Sequence, residues 1–222
     1  MSVFDNSQFG KFELLSASLW IITVIIFLIF GILFVRRAMK REEISKSFNI
    51  SAGILFLGLG IRLLLPLIIE DRITMFFSNV SMFIATFPLG LYLEKIVFKK
   101  TKYMISLAAV ILFVVFIIMS ILSDFYRPTM YIWVMPPFAI ELLILAVGYI
   151  YLIIKSTGVV KRSSILIFIG SVLFIGSSLI IGMYGPIGQN SIPVVEDYLA
   201  VICPLISIVG ALIAAKGFFG YS

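Results

Sequence analysis

Seven apolar runs, each near the ~20 residues that a helix needs to cross the hydrocarbon core of a bilayer, occupy almost all of this 222-residue chain. They read at about residues 14–35, 48–69, 73–98, 103–123, 129–154, 163–184 and 197–219. Between them lie short polar separators: RRAMKREEISKS, IEDR, FKKTK, SDFYRPT, KSTGVVKR and GPIGQNSIPVVED. The expected fold is therefore all-α, a polytopic bundle of seven transmembrane helices forming one domain over residues 1–222. The expected localisation is the cell membrane, multi-pass.

Composition agrees. The chain is 62% hydrophobic and 13% charged, where a soluble domain is closer to half apolar and a quarter charged. The net charge of +6 does not point to nucleic acid, because the charges fall in clusters between apolar runs. One cysteine, Cys203, excludes an intrachain disulfide and a CxxC pair. Histidine is absent, and with it the commonest haem, zinc and proton-relay ligand. The N-terminal MSVFDNSQFGKFE lacks a basic n-region, and the run after it ends in Arg36-Arg37. It reads as a retained first helix followed by a stop-transfer signal.

Basic residues set the expected orientation. Arg36, Arg37, Lys40, Arg41, Lys46, Lys95, Lys99, Lys100, Lys102, Lys155, Lys161, Arg162 and Lys216 fall on one side; Lys11, Arg72 and Arg127 fall on the other. The positive-inside rule makes the richer side cytoplasmic. The N-terminus is expected outside and the C-terminus in the cytoplasm.

Two charges break the apolar pattern. Arg62 stands in GLGIRLLLP and Glu141 in PPFAIE. An isolated charge at membrane depth costs on the order of 3 kcal/mol on insertion scales. Counted from Glu70 and Tyr131, the two lie roughly 12 and 15 Å below the same boundary at 1.5 Å per residue. A contact between the second and fifth helices through Arg62 and Glu141 is the expected escape, with snorkelling of Arg62 as its rival. Prolines inside the runs remove hydrogen bonds to the carbonyls four residues earlier. Pro66 frees Arg62, Pro88 frees Ile84, Pro136 and Pro137 free Ile132 and Trp133, and Pro204 frees Ala200. Ser78, Asn79, Ser177 and Ser178 are polar residues that could line the same space. The candidate ligand or ion site is thus Arg62, Glu141, Ser78, Asn79, Ser177 and Ser178, among helices kinked at Pro66, Pro88, Pro136, Pro137 and Pro204. Small residues at Gly210, Ala211, Ala214, Ala215 and Gly217, and on the sixth helix at Gly170 and Ser171, suit close helix packing.

No aspartate is expected in the interior of a membrane helix, and no serine–histidine pair, carboxylate cluster or phosphate-cradling glycine loop is read in the chain. The chain is not expected to be an enzyme, to hold a metal or to use a cofactor. A retinal protein is excluded too, because Lys216 stands at the cytoplasmic edge. The stretches GLGIRLLLPLIIED and GLYLEKIVFKKTKY, with a last helix of the form Pro204…Gly210…Gly217-Phe218, resemble a group of uncharacterised seven-helix archaeal membrane proteins. The layout is also similar to membrane sensor regions of archaeal histidine kinases, which implies sensing.

Three functions remain open. One is a sensor or receptor-like module that binds a small or lipid-like ligand in the bundle and acts on a cytoplasmic signalling partner through the basic inner loops. The others are a small transporter or ion-conducting protein using an intramembrane Arg–Glu site, and a structural subunit of a larger membrane complex. The lipid bilayer is a partner in all three.

Overall fold

A computed structural model describes residues 13–40, 43–69, 72–184 and 193–221. Among them run seven helices: α1 Glu13–Ala38, α2 Glu43–Ile68, α3 Arg72–Val97, α4 Met104–Leu122, α5 Arg127–Lys155, α6 Gly158–Tyr184 and α7 Pro193–Gly220. Each is long and apolar enough to cross a membrane. Most reach past the apolar runs into the polar separators, because helical hydrogen bonding continues once the chain has left the apolar stretch. α5 shows the consequence: it starts at Arg127, with Pro128 in its first turn, where a missing N–H costs nothing.

Neighbours in sequence pack as neighbours in space, α1 on α2, α2 on α3, α4 on α5 and α6 on α7. α7 closes back on α1, while α3 and α5 also meet. Two ends result. At one, Ser16 Oγ of α1 donates to Ala200 O of α7 at 2.9 Å. At the other, the Arg37 guanidinium lies 5.1 Å from the Phe219 ring centroid and donates to Phe219 O at 3.4 Å. Ser164 and Tyr221 hydroxyls meet there at 2.7 Å. Burial pushes the Tyr221 phenol above its ordinary pKa, with the Ser164 hydrogen bond opposing.

Close backbone approach holds the helices together, as expected where lipid removes the hydrophobic drive for helix association. A Cβ at Gly170 would meet the Ala214 backbone nitrogen, and one at Gly217 would come within 2.8 Å of Ile167 N. The small-residue stripes of α6 and α7 are therefore spent on each other, inside the bundle. Gly58 presses α2 on Ala85 of α3 in the same manner, with 2.6 Å to the Ala85 Cβ. Phenylalanines fill the rest: Phe27, Phe34, Phe56, Phe174 and Phe218 are all fully buried. Phe27 meets Phe174 edge to face at 5.6 Å, and Phe34 stacks on Phe219 at 4.5 Å.

Candidate functional site

The local sequence of α5 builds the centre of the site. Glu141 is fourteen residues from Arg127 and fourteen from Lys155, so it lies about 21 Å along the helix from either end. It follows Pro136 and Pro137 by about one turn, and its side chain is 0% exposed. Among the described residues neither Oε1 nor Oε2 has a hydrogen-bond partner. A buried carboxylate normally accepts several hydrogen bonds, and leaving a charged one without them costs several kcal/mol.

α3 supplies the floor. Gly90 lies so close that a Cβ there would overlap Glu141 Oε2. α3 and α5 run in the same sense, and Leu93 of α3 packs next along on Gly148 of α5, 3.2 Å from the Cβ position. Asn79, Phe83, Thr86, Gly90 and Glu94 recur at spacings of three and four residues, so they share one face of α3. Thr86 is buried and donates to Met82 O at 3.1 Å and Phe83 O at 3.3 Å.

One turn beyond Gly90, Glu94 is also buried, 1% exposed, yet it is surrounded by donors. Thr101 Oγ1 donates to Oε1 at 2.6 Å, Ile105 N–H to Oε1 at 3.2 Å and Ser106 N–H to Oε2 at 2.9 Å. The Ser106 hydroxyl also donates to Oε2. Lys102 and Tyr103 hold left-handed backbone, φ 48° and 67°, a conformation that costs about 1–2 kcal/mol per residue. The turn they make carries α4's first amides to Glu94. Tyr103, the residue before α4, makes no side-chain cap. Glu94 takes that role from another helix, matching a carboxylate to the positive end of the helix dipole.

The expected Arg62–Glu141 pair does not form, since Glu141 accepts no hydrogen bond among the described residues. The reason is depth. Arg62 is six residues from the end of α2, about 9 Å, whereas the early start of α5 sets Glu141 at mid-helix. α3 measures the offset: Ser78 touches the Arg62 backbone and Gly90 touches Glu141, twelve residues or about 18 Å apart along the axis. α2 packs on α1 and α3, while α5 packs on α3, α4 and α6.

The other candidates separate likewise. Ser78 Oγ donates to Arg62 O at 3.0 Å, the carbonyl that Pro66 frees. Ser16 does the same for Ala200 O, the carbonyl that Pro204 frees. These hydroxyls repair proline-broken ladders. Ser177 is buried between α6 and α7, bonded to Ser207 Oγ at 2.6 Å and Phe174 O at 3.0 Å. Ser178 lies on α6, but its side chain falls outside the described residues. Asn79 meets α5 near the start of the turn that leads to Glu141. It lines a narrow cleft, about 10 Å³ of enclosed space, with Met82, Phe83, Phe113, Val134, Pro137 and Phe138, the last two being one turn before Glu141 on α5.

Gly90, Thr86, Glu94, Thr101 and Ser106 escaped the sequence reading. A signal was available for Glu94: it falls inside the α3 run, seven residues before Thr101 and twelve before Ser106, where a new helix starts. No protein-family model, curated protein or solved structure matches this chain.

Proposed function

We propose that this chain is a small multi-pass membrane transporter or ion-conducting protein, with Glu141 as the group that takes up and releases a proton or monovalent cation. One observation carries the reading: a fully buried carboxylate at mid-helix, with no hydrogen-bond partner for either oxygen among the described residues. A carboxylate within a membrane span is costly unless it is paired, neutralised or used. We take the end of the bundle that gathers Arg36, Arg37, Lys99, Lys100, Lys155 and Lys161 as cytoplasmic, with the start of α1 outside.

The sensor reading would need a ligand pocket, and the cleft beside Asn79 and Pro137, with about 10 Å³ of enclosed space, has room for about one water.

The test is flux. Protein is reconstituted in liposomes with a trapped pH-sensitive dye, and proton, sodium or potassium gradients are imposed in turn. The expected result is gradient-driven flux that Glu141→Gln abolishes. Wild-type vesicles that stay as tight as protein-free ones under every gradient would refute it.

A further inference from the structure

Glu141 is closed in. Gly90 presses on one oxygen, and neither oxygen has a hydrogen-bond partner among the described residues. The flanking Leu89 and Leu93 of α3 and Ile144 and Leu145 of α5 are buried. An ionised carboxylate needs donors or water, so uptake and release at Glu141 demand a second arrangement of the helices around it.

The bonds between helices show which of them can move. α3 is tied to α2 by Ser78, on Arg62 O, and by Ser51 Oγ, which donates to Pro88 O at 3.3 Å. The foot of α4 is tied to α3 through Glu94. Between Asn79 and Gly90, by contrast, no hydrogen bond joins α3 to α4 or α5 among the described residues. Aromatic contacts take their place: Phe83 stacks on Phe113 at 4.0 Å, and Phe76 meets Phe116 at 5.6 Å and Phe125 at 5.3 Å. Ring pairs are weaker than the charge-assisted bonds at the foot, so this half opens first. α4 and α5 pack on each other and share the turn 123–126, where Phe125 N–H bonds Ser120 O at 2.8 Å, so they move together. α5 also has its own weak point. The carbonyls of Ile132 and Trp133, freed by Pro136 and Pro137, carry no hydroxyl among the described residues, unlike Arg62 O and Ala200 O. That unrepaired break lies about one turn before Glu141.

Resting on the reading of Glu141 as the carrier, we infer that the α4–α5 pair is the gate over it. Away from the basic loops, the pair parts from α3 by bending α5 at Pro136–Pro137, while the Glu94 cap holds the foot of α4. The cleft at Asn79 lies on the line of parting and already has room for about one water. For a proton cargo the step balances through water admitted there. The O–H bond of Glu141 breaks as one forms on that water, leaving a hydrated carboxylate, and the return of the proton lets the pair close. No neighbouring charge takes water's place. α3 brings Glu94, whose oxygens are filled by donors. α4 and residues 163–184 of α6 carry no charge, and Lys161 and Arg162 at the start of α6 are exposed. On α5 itself the nearest titratable group is the buried Tyr149.

Spin labels at Phe77→Cys and Ile132→Cys, both exposed positions, test the gate in lipid, with the buried Cys203 replaced in Cys203→Ala. The protein with Glu141 intact should give one short distance at low pH and a second, longer population at high pH. Glu141→Gln, which never ionises, should give the short distance alone. A single distance at every pH overturns the gate, as does a longer population in Glu141→Gln that follows pH in the same way. Flux supplies the second arm. Pro136→Ala combined with Pro137→Ala restores the α5 ladder and should cut flux at least tenfold, since hinge residues set such rates. Pro204→Ala, whose freed carbonyl already has Ser16, should keep flux within about twofold of wild type. Unchanged flux in the first variant, or equal losses in both, overturns the bend. Should wild-type protein carry no flux, the transport reading fails alone, and the label distances decide the gate by themselves.

Discussion

Gly90 of α3 lies directly against the carboxylate of Glu141 on α5, with no space between them for a single methyl group. The contact joins two helices that run in the same sense, and it occurs at the middle of α5. A glycine whose role is to seat an acidic side chain differs from one that lets two backbones meet, as Gly170 does against α7. At Gly90 the small residue is shaped to the site.

Gly90→Ala should therefore damage the protein through Glu141 and not through helix propensity. The atom in the way is the free end of the Glu141 side chain, so the cost, at most about 1–3 kcal/mol, depends on that fully buried carboxyl having nowhere to turn, and it is set against alanine's better helix propensity. Thermal unfolding in detergent should show a lower midpoint for Gly90→Ala. The midpoint should return toward wild type when Glu141→Ala is added, because the colliding carboxylate is gone. A Gly90→Ala protein as stable and as active as wild type would contradict the contact.

Arg62 and Glu141 should behave as independent residues. Their separation of about 18 Å along α3 exceeds the 7–10 Å over which mutational effects couple. A double-mutant cycle with Arg62→Met and Glu141→Met should give single effects that add within about 0.5 kcal/mol. Coupling above about 1 kcal/mol in unfolding experiments would mean that the two charges share a partner.

Much of the architecture was readable before any coordinates, because a run of twenty apolar residues leaves the backbone few alternatives to a helix. The assignment of freed carbonyls was readable for the same reason: proline chemistry is local, and Arg62 O and Ala200 O both carry serine partners. What the residues alone could not supply was relative depth. Counting both charges from the assumed helix ends put them about 3 Å apart in depth, whereas their contacts on α3 lie twelve residues, about 18 Å, apart along the axis. The role of Glu94 was hidden differently. It depends on two left-handed residues, Lys102 and Tyr103, that fold α4's amides back on α3, and neither residue type advertises that conformation.

Ser78→Ala should destabilise the bundle by about 1–2 kcal/mol, the usual cost of stranding a buried hydrogen-bonding group. The effect should depend on Pro66. In a Pro66→Ala background the residue 66 N–H can again bond Arg62 O, so Ser78→Ala should then cost less. The pair Ser16 and Pro204 should repeat the pattern at Ala200. Equal costs of Ser78→Ala in both backgrounds, measured by unfolding, would show that the serine is not repairing the proline break.

The foot of α4 should be the region most sensitive to the donors around Glu94. Ser106 contributes both its amide and its hydroxyl, and Thr101 contributes a hydroxyl from the turn. Removing the Ser106 hydroxyl with Ser106→Ala leaves the amide bond to Glu94 in place, so one charge-assisted contact of about 1.5–3 kcal/mol is lost. Thr101→Val removes one of similar strength and keeps the side-chain volume. Each should raise hydrogen exchange at Ile105 and Ser106 by at least tenfold. Amides at the centre of α4, near Phe113 and Phe116, should be unaffected, since those phenylalanines pack on Phe83 and Phe76 far from the cap. The double variant should fray the first turn further, because two left-handed residues would then be held by fewer contacts than their strain requires. If exchange instead rose uniformly along α4, Glu94 would be anchoring the whole helix and not its first turn, and the cap would have to be redrawn as a tertiary lock.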